Sequence, residues 1–132
     1  MFVNVTIGVV NFAFPDDCKA PTPAGPVPVL LVNVAISFSH IPVVLQIVIG
    51  RGLAENILTT GAISNGDEAG VAMGVVPNQI VGPDRYVTCS EKVCLGGMPA
   101  VRLTSLTGQN GALQNAMGAS LTSAQFIFVL LS

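Results

Sequence analysis

Apolar positions along this chain alternate with polar ones or run together in short blocks, and they rarely fall at helical spacing. Residues 2–14 (FVNVTIGVVNFAF) are rich in β-branched side chains and predict one or two strands. Residues 29–49, dominated by Val, Ile and Leu and broken at Pro42, predict two more. Between them, 15–28 (PDDCKAPTPAGPVP) holds five prolines and a glycine. That composition reads as an extended Pro-rich loop, partly polyproline II, wrapped over the body. Glycines at 50, 52, 61, 66, 70, 74 and 82, then at 96, 97, 108, 111 and 118, leave no room for a long helix. A brief helical turn fits Ala112 to Met117, and Gln125 to Leu131 reads as a final buried strand. The pattern predicts one all-β domain over 1–132, built from short strands and hairpins.

Part of the chain repeats at an offset of 46. Val48-Ile49-Gly50-Arg51-Gly52-Leu53-Ala54 aligns with Cys94-Leu95-Gly96-Gly97-Met98-Pro99-Ala100, Ile57 with Leu103, and Thr59 with Ser105. One residue of slippage brings Asn65-Gly66 onto Asn110-Gly111. Each copy reads as an apolar strand, a glycine hairpin, a return strand and a second turn. Pseudo-symmetric ββ units follow.

Charge narrows the function. Five Lys and Arg with seven Asp and Glu make 9% of the chain, against about 25% in an ordinary soluble domain. Nothing after Arg102 is charged. Such a body exposes neutral or apolar surface, which marks contact with protein or membrane. Five scattered cations at a net charge of −2 exclude a phosphate-binding patch, and with it nucleic acid. The apolar runs 27–36, 41–49 and 124–131 are too short or too interrupted for a spanning helix. No charged n-region followed by an apolar helix opens the sequence, so a secretory signal peptide is not expected. Cys18, Cys89 and Cys94, an odd set, point to free thiols in a reducing compartment.

The candidate motifs each have a plain structural reading. Gly50-Arg51-Gly52 after a strand lacks the third glycine of a dinucleotide turn, because Glu55 stands there, so a hairpin is the better reading. His40, between Ser39 and Ile41, could recruit Ser37 or Ser39 for a triad, but the chain has no nucleophile elbow and the residue reads as a structural or surface histidine. Asp67-Glu68 reads as a solvated turn. Cys18, His40, Cys89 and Cys94 together could supply a Cys3His zinc site, weighed against three thiols acting as small apolar groups. No cofactor is assigned.

Three stretches, FAFPDDCKAPTPAGPVPV, SNGDEAGVAMGVVPNQIVGP and KVCLGGMPAVRLTSLTGQNG, resemble the PAAR-like proteins of contractile injection machines, chiefly type VI secretion. The resemblance runs from about Asn4 to Leu131. It implies a small conical β protein that caps the trimeric β-helical spike (VgrG type), sharpens it for membrane puncture, and is not an enzyme. It also implies synthesis in the bacterial cytoplasm and delivery at the spike tip. The alternative is an effector adaptor, with loop 15–28 holding a toxin in trans. Relatives fix zinc with several histidines, where this chain has one; it also carries Val29-Leu30-Leu31-Val32 where relatives often have Pro-Tyr-Pro. The docking base is assigned to Val44, Leu45, Ile47 and Ile49, to Val93 and Leu95, and to Phe126, Phe128 and Val129 of the tail.

Overall fold

The structure is a computed structural model that describes residues 2–66, 82–110 and 116–122. In chain order the strands are β1 (Val10–Thr22), β2 (Gly25–Ile36), β3 (His40–Ile41), β4 (Val48–Ile49), β5 (Gly52–Leu53), β6 (Thr60–Asn65), β7 (Gly82–Tyr86), β8 (Cys94–Leu95), β9 (Met98–Pro99), β10 (Leu106–Gln109) and β11 (Ala116–Thr122). Among the described residues the one helical element is a 3-10 turn at Ser37–Ser39. The fold is the all-β assembly of strands and hairpins that the sequence predicts.

Three hairpins, β1–β2, β6–β7 and β10–β11, stand side by side. The first strand of each pairs with the second strand of a neighbour: β1 with β11, β10 with β7, β6 with β2. The six strands therefore close on themselves, which removes the open edges of a sheet. At the foot, β4–β5 and β8–β9 form two small hairpins of identical register, Val48 opposite Leu53 and Cys94 opposite Pro99. The repeat at offset 46 is thus a structural repeat. Gly50 (φ 66°), Gly96 (φ 64°) and Gly97 (φ 82°) take the left-handed backbone that these two-residue turns need.

Strand alternation is inverted relative to an ordinary core. Asn11, Asn33, Asp84, Tyr86 and Ser120 point inward and are buried, while Phe12, Phe14, Leu30, Ile36, Met117 and Leu121 point outward and are exposed. A barrel of six strands has little room inside for large side chains. Small and hydrogen-bonding groups fill it, as Ala13, Ala35 and Ala116 also do. A separate apolar cluster of Val3, Val5 and Ala100 sits at the foot, with Ile49, Val93 and Leu95 packed against it.

Residues 15–28 are not a loop wrapped over the body. They form the arms of the β1–β2 hairpin, turning at Pro23–Ala24. A register shift after Ala13 places an extra residue in β1 beside Pro15. Beyond it, Pro21 faces Pro26 and Lys19 faces Pro28. Both pairs share the phase in which the backbone N–H points away from the partner strand, so proline removes no ladder bond. The helical turn expected near Ala112 to Met117 is corrected where it can be seen, because Ala116 and Met117 open β11. Within 43–49, only Val48 and Ile49 are strand. Asp67-Glu68 and the tail 125–131 lie outside the described residues.

Candidate functional site

Residues 2–6, 53–57 and 99–103 meet as a three-membered ring at the foot of the barrel. The Asn4 N–H donates to the Val101 carbonyl (3.0 Å), the Val101 N–H to Glu55 (3.4 Å), and the Glu55 N–H back to Asn4 (3.1 Å). A second cycle runs the opposite way round. Thr6 N–H donates to Leu53 (3.0 Å), Ile57 to Pro99 (3.0 Å) and Leu103 to Phe2 (2.8 Å). Bridges Val5 to Ala54, Asn56 to Ala100, and Arg102 to Val3 complete the circuit. One polypeptide has built a pseudo-three-fold axis, with the N-terminal segment as its third copy.

Small residues make this approach feasible. Ala54 and Ala100 are fully buried where segments cross. A Cβ on Gly52 would stand 3.0 Å from that of Val5 and 3.2 Å from the amide nitrogens of Thr6 and Ile7. Each later copy leaves the ring by one turn: Thr59 N–H donates to the Asn56 carbonyl while the Asn56 N–H donates to Thr59 Oγ1. Ser105 and Arg102 repeat both bonds.

Above the ring lies a buried polar network. His40 Nδ1 is 2.7 Å from Glu55 Oε1 and His40 Nε2 is 3.4 Å from Asp84 Oδ2. Tyr86 donates its hydroxyl to Glu55 Oε2 (2.6 Å), and the Asn4 amide donates to the Tyr86 hydroxyl (3.2 Å) and to Ser120 Oγ (2.8 Å). Asn11 donates to Asp84 Oδ2 (3.0 Å). Higher up, Asn33 (3.0 Å) and Asn110 (2.6 Å) both donate to Asp16 Oδ2, and Ser64 Oγ donates to Asn110 Oδ1 (2.8 Å). These groups tie all three hairpins together through the interior.

Burial alone lowers the pKa of His40, but hydrogen bonds to Asp84 and Glu55 and the charges of both carboxylates outweigh it and raise it to about 9. His40 is therefore an imidazolium at neutral pH, clamped between two acids. Burial, then the Glu55 charge, pushes the Tyr86 hydroxyl well above its usual range. An imidazolium with both N–H groups turned to carboxylates is no general base. Ser37 Oγ accepts from the Val9 N–H (3.0 Å), and Ser39 Oγ donates to the Ile36 carbonyl (2.9 Å), so neither serine joins it. The arrangement is a structural clamp.

That geometry does not fit a zinc site through His40, because carboxylates face both ring nitrogens. Cys94 is exposed and Cys89 half-buried. The Cys18 side chain lies outside the described atoms. Among the described residues no three His, Cys, Asp or Glu side chains are grouped to hold a metal.

Two of the assigned docking groups are brought together as related stations of the ring. The Ala54 N–H donates to the Ile47 carbonyl as the Ala100 N–H does to Val93, and Ile49 and Leu95 hold the same hairpin position. Leu45, beside them, is 68% exposed, whereas Val44 is buried, its methyls lying beside Gly96. Phe126, Phe128 and Val129 lie outside the described residues. Glu55, Asp84, Tyr86 and Asn4 were not singled out as a group from the sequence. The available signal was Asn and Asp alternating with apolar residues in strands, which gives a polar face without saying which face is inside.

A single chain folded as a closed barrel of three hairpins on a three-membered ring defines a structural β module with pseudo-three-fold symmetry. The family model of the toxin PAAR-like domain matches residues 9–118, and the chain belongs to that family. No curated protein and no solved structure matches the chain. Membership places the protein among structural and adaptor modules with a spike-tip or toxin-associated role in secretion systems.

Proposed function

We propose that this protein is a non-enzymatic tip that caps the trimeric β-helical spike (VgrG type) of a contractile injection or type VI secretion machine. The closed cycle of the three ring segments carries the reading. A shaft of three identical chains ends in three identical sets of backbone groups, and one polypeptide can cap it only by presenting nearly the same surface three times. The foot of the barrel, with Leu45, Ile47, Ile49, Val93 and Leu95 around the ring, is the docking base in this reading. The apolar exterior supports passage through a lipid layer, where outward charges would be costly. Native mass spectrometry of the cognate spike mixed with this protein tests it. The expected species is one copy per spike trimer; three copies per trimer, or none, overturns it.

A second role has its own observation. Residues 17–31 of β1 and β2 extend past the last described pairings to β11 (Asp16 with Ala116) and to β6 (Val34 with Asn65). Among the described residues this ribbon pairs only with itself, and it displays Val27 and Leu30. It is the surface for an effector held in trans. Deleting 19–28 is expected to abolish effector delivery while spike binding persists; loss of both together removes the adaptor reading.

A further inference from the structure

We infer that the β1–β2 ribbon over 17–31 is guarded against strand addition: proline strips its outward edges of backbone donors, so that neither a second copy of this chain nor an extended segment of another protein extends its ladder. This inference rests on the register of the ribbon and on neither functional reading above.

β1 and β2 are the longest strands, at 13 and 12 residues, and they leave the barrel together. Among the described residues neither of their outer edges is paired over 17–31, and long open edges are where other chains add. The hairpin closes on the two-residue turn Pro23–Ala24 between Thr22 and Gly25. A pair closing such a turn exchanges both of its backbone bonds, and Thr22 Oγ1 also donates to the Gly25 carbonyl at 2.6 Å. Orientation then alternates along the register. Ala20 with Val27, Cys18 with Val29 and Asp16 with Leu31 turn their amides toward each other, whereas Pro21 with Pro26, Lys19 with Pro28 and Asp17 with Leu30 occupy the outward phase. Three of those six outward positions are proline, and none of the eight inward ones is. Tolerance of the ladder explains why no inward residue is proline. It does not call for proline at both outward positions of β2 nearest the turn. A strand laid against β2 between Gly25 and Val29 would meet the carbonyls of Pro26 and Pro28 and no N–H, leaving its own carbonyls unpaired. On β1, Pro21 blanks the tip, and the remaining outward amides belong to the charged residues Lys19 and Asp17, the other feature that discourages pairing at an edge. Partners of the ribbon are thereby confined to the side chains of its faces, among which Val27 and Leu30 are exposed.

Hydrogen exchange on the native protein tests the orientation. The amides of Cys18, Ala20, Val27, Val29 and Leu31 should exchange slowly, and those of Asp17, Lys19 and Leu30 at the rate of solvent-facing groups; slow exchange at all of them overturns the inference. The double variant Pro26→Val, Pro28→Val tests the guard, because it restores two outward donors on a β-forming edge. In a mild non-ionic detergent that masks the apolar exterior, the native protein should keep one mass by light scattering as its concentration rises. The variant should instead form larger species whose infrared spectrum gains the band of strands paired between molecules, and the amides introduced at positions 26 and 28 should become protected as it does. A variant that keeps the native mass at every concentration, or that associates while those two amides still exchange freely, overturns the inference. Should the variant fail to fold, the exchange pattern of the native protein still decides.

Discussion

His40 and Glu55 face each other across the barrel floor at 2.7 Å, and Glu55 belongs to the ring itself, its N–H bonded to Asn4 and its carbonyl to Val101. One residue thus joins the pseudo-three-fold backbone to the buried charges above it. Removing that carboxylate leaves an imidazolium and the Tyr86 hydroxyl without their closest partner. Breaking a buried pair on one side costs about 3–5 kcal/mol. Glu55→Ala should therefore lower unfolding free energy by about that much in a urea titration, and His40→Ala together with Glu55→Ala should cost less than the sum of the two single changes. Additive losses would show that the two side chains do not interact.

The same pair makes stability depend on pH in a defined direction. The folded pKa of about 9 lies above the ordinary value of 6.5. The folded state binds the proton more tightly, so the stabilisation is fully present below about pH 6.5 and is lost as pH rises through about 9. The difference corresponds to about 3 kcal/mol. Tyr86, held well above its usual range, stays un-ionised across that window. The melting temperature should fall between pH 6.5 and 9.5 in the native protein and change little in His40→Gln. An equal fall in both would assign the effect to other groups.

Strands, hairpins and the repeat at 46 were legible because glycine turns and strand alternation are local signals. Val48 to Ala54 and Cys94 to Ala100 fold with the register their alignment implies. The third ring segment, 2–6, has no repeat signature in the sequence because what it shares with 53–57 and 99–103 is backbone bonding, not side-chain identity. The segment 15–28 misled through its prolines, which usually end strands but are tolerated where the missing N–H would face away from the partner strand. The polar interior was hidden for a different reason. Alternation in VNFAF marks two faces, and only closure of six strands decides that Asn11 rather than Phe12 is inside.

Gly61 marks where the backbone yields to that interior. Its partner across the sheet is Asp84, and a Cβ added at Gly61 would collide with the Asp84 carboxylate and approach the His40 ring. Gly61→Ala should push the carboxylate away from His40, lower stability by about 1–3 kcal/mol, and lower the His40 pKa measured by NMR. If stability falls with the His40 pKa unmoved, the glycine serves packing alone.

The outer face yields the prediction most directly tied to the proposed membrane passage. Phe12, Phe14, Leu106, Met117 and Leu121 line one shallow apolar surface across β1, β11 and β10. Phe14 is 55% and Met117 51% exposed, so neither contributes much to the fold. Replacing Phe14, Met117 and Leu121 by Ser should leave unfolding free energy within about 0.5 kcal/mol per site. The native protein should co-sediment with neutral phosphatidylcholine vesicles to an extent that salt does not reduce, because with a net charge of −2 the attraction is to acyl chains and not to headgroup charge. The triple variant should remain in the supernatant while still binding the spike. Vesicle binding unchanged by the substitutions would remove this face as the lipid contact; binding abolished by salt would make the association electrostatic.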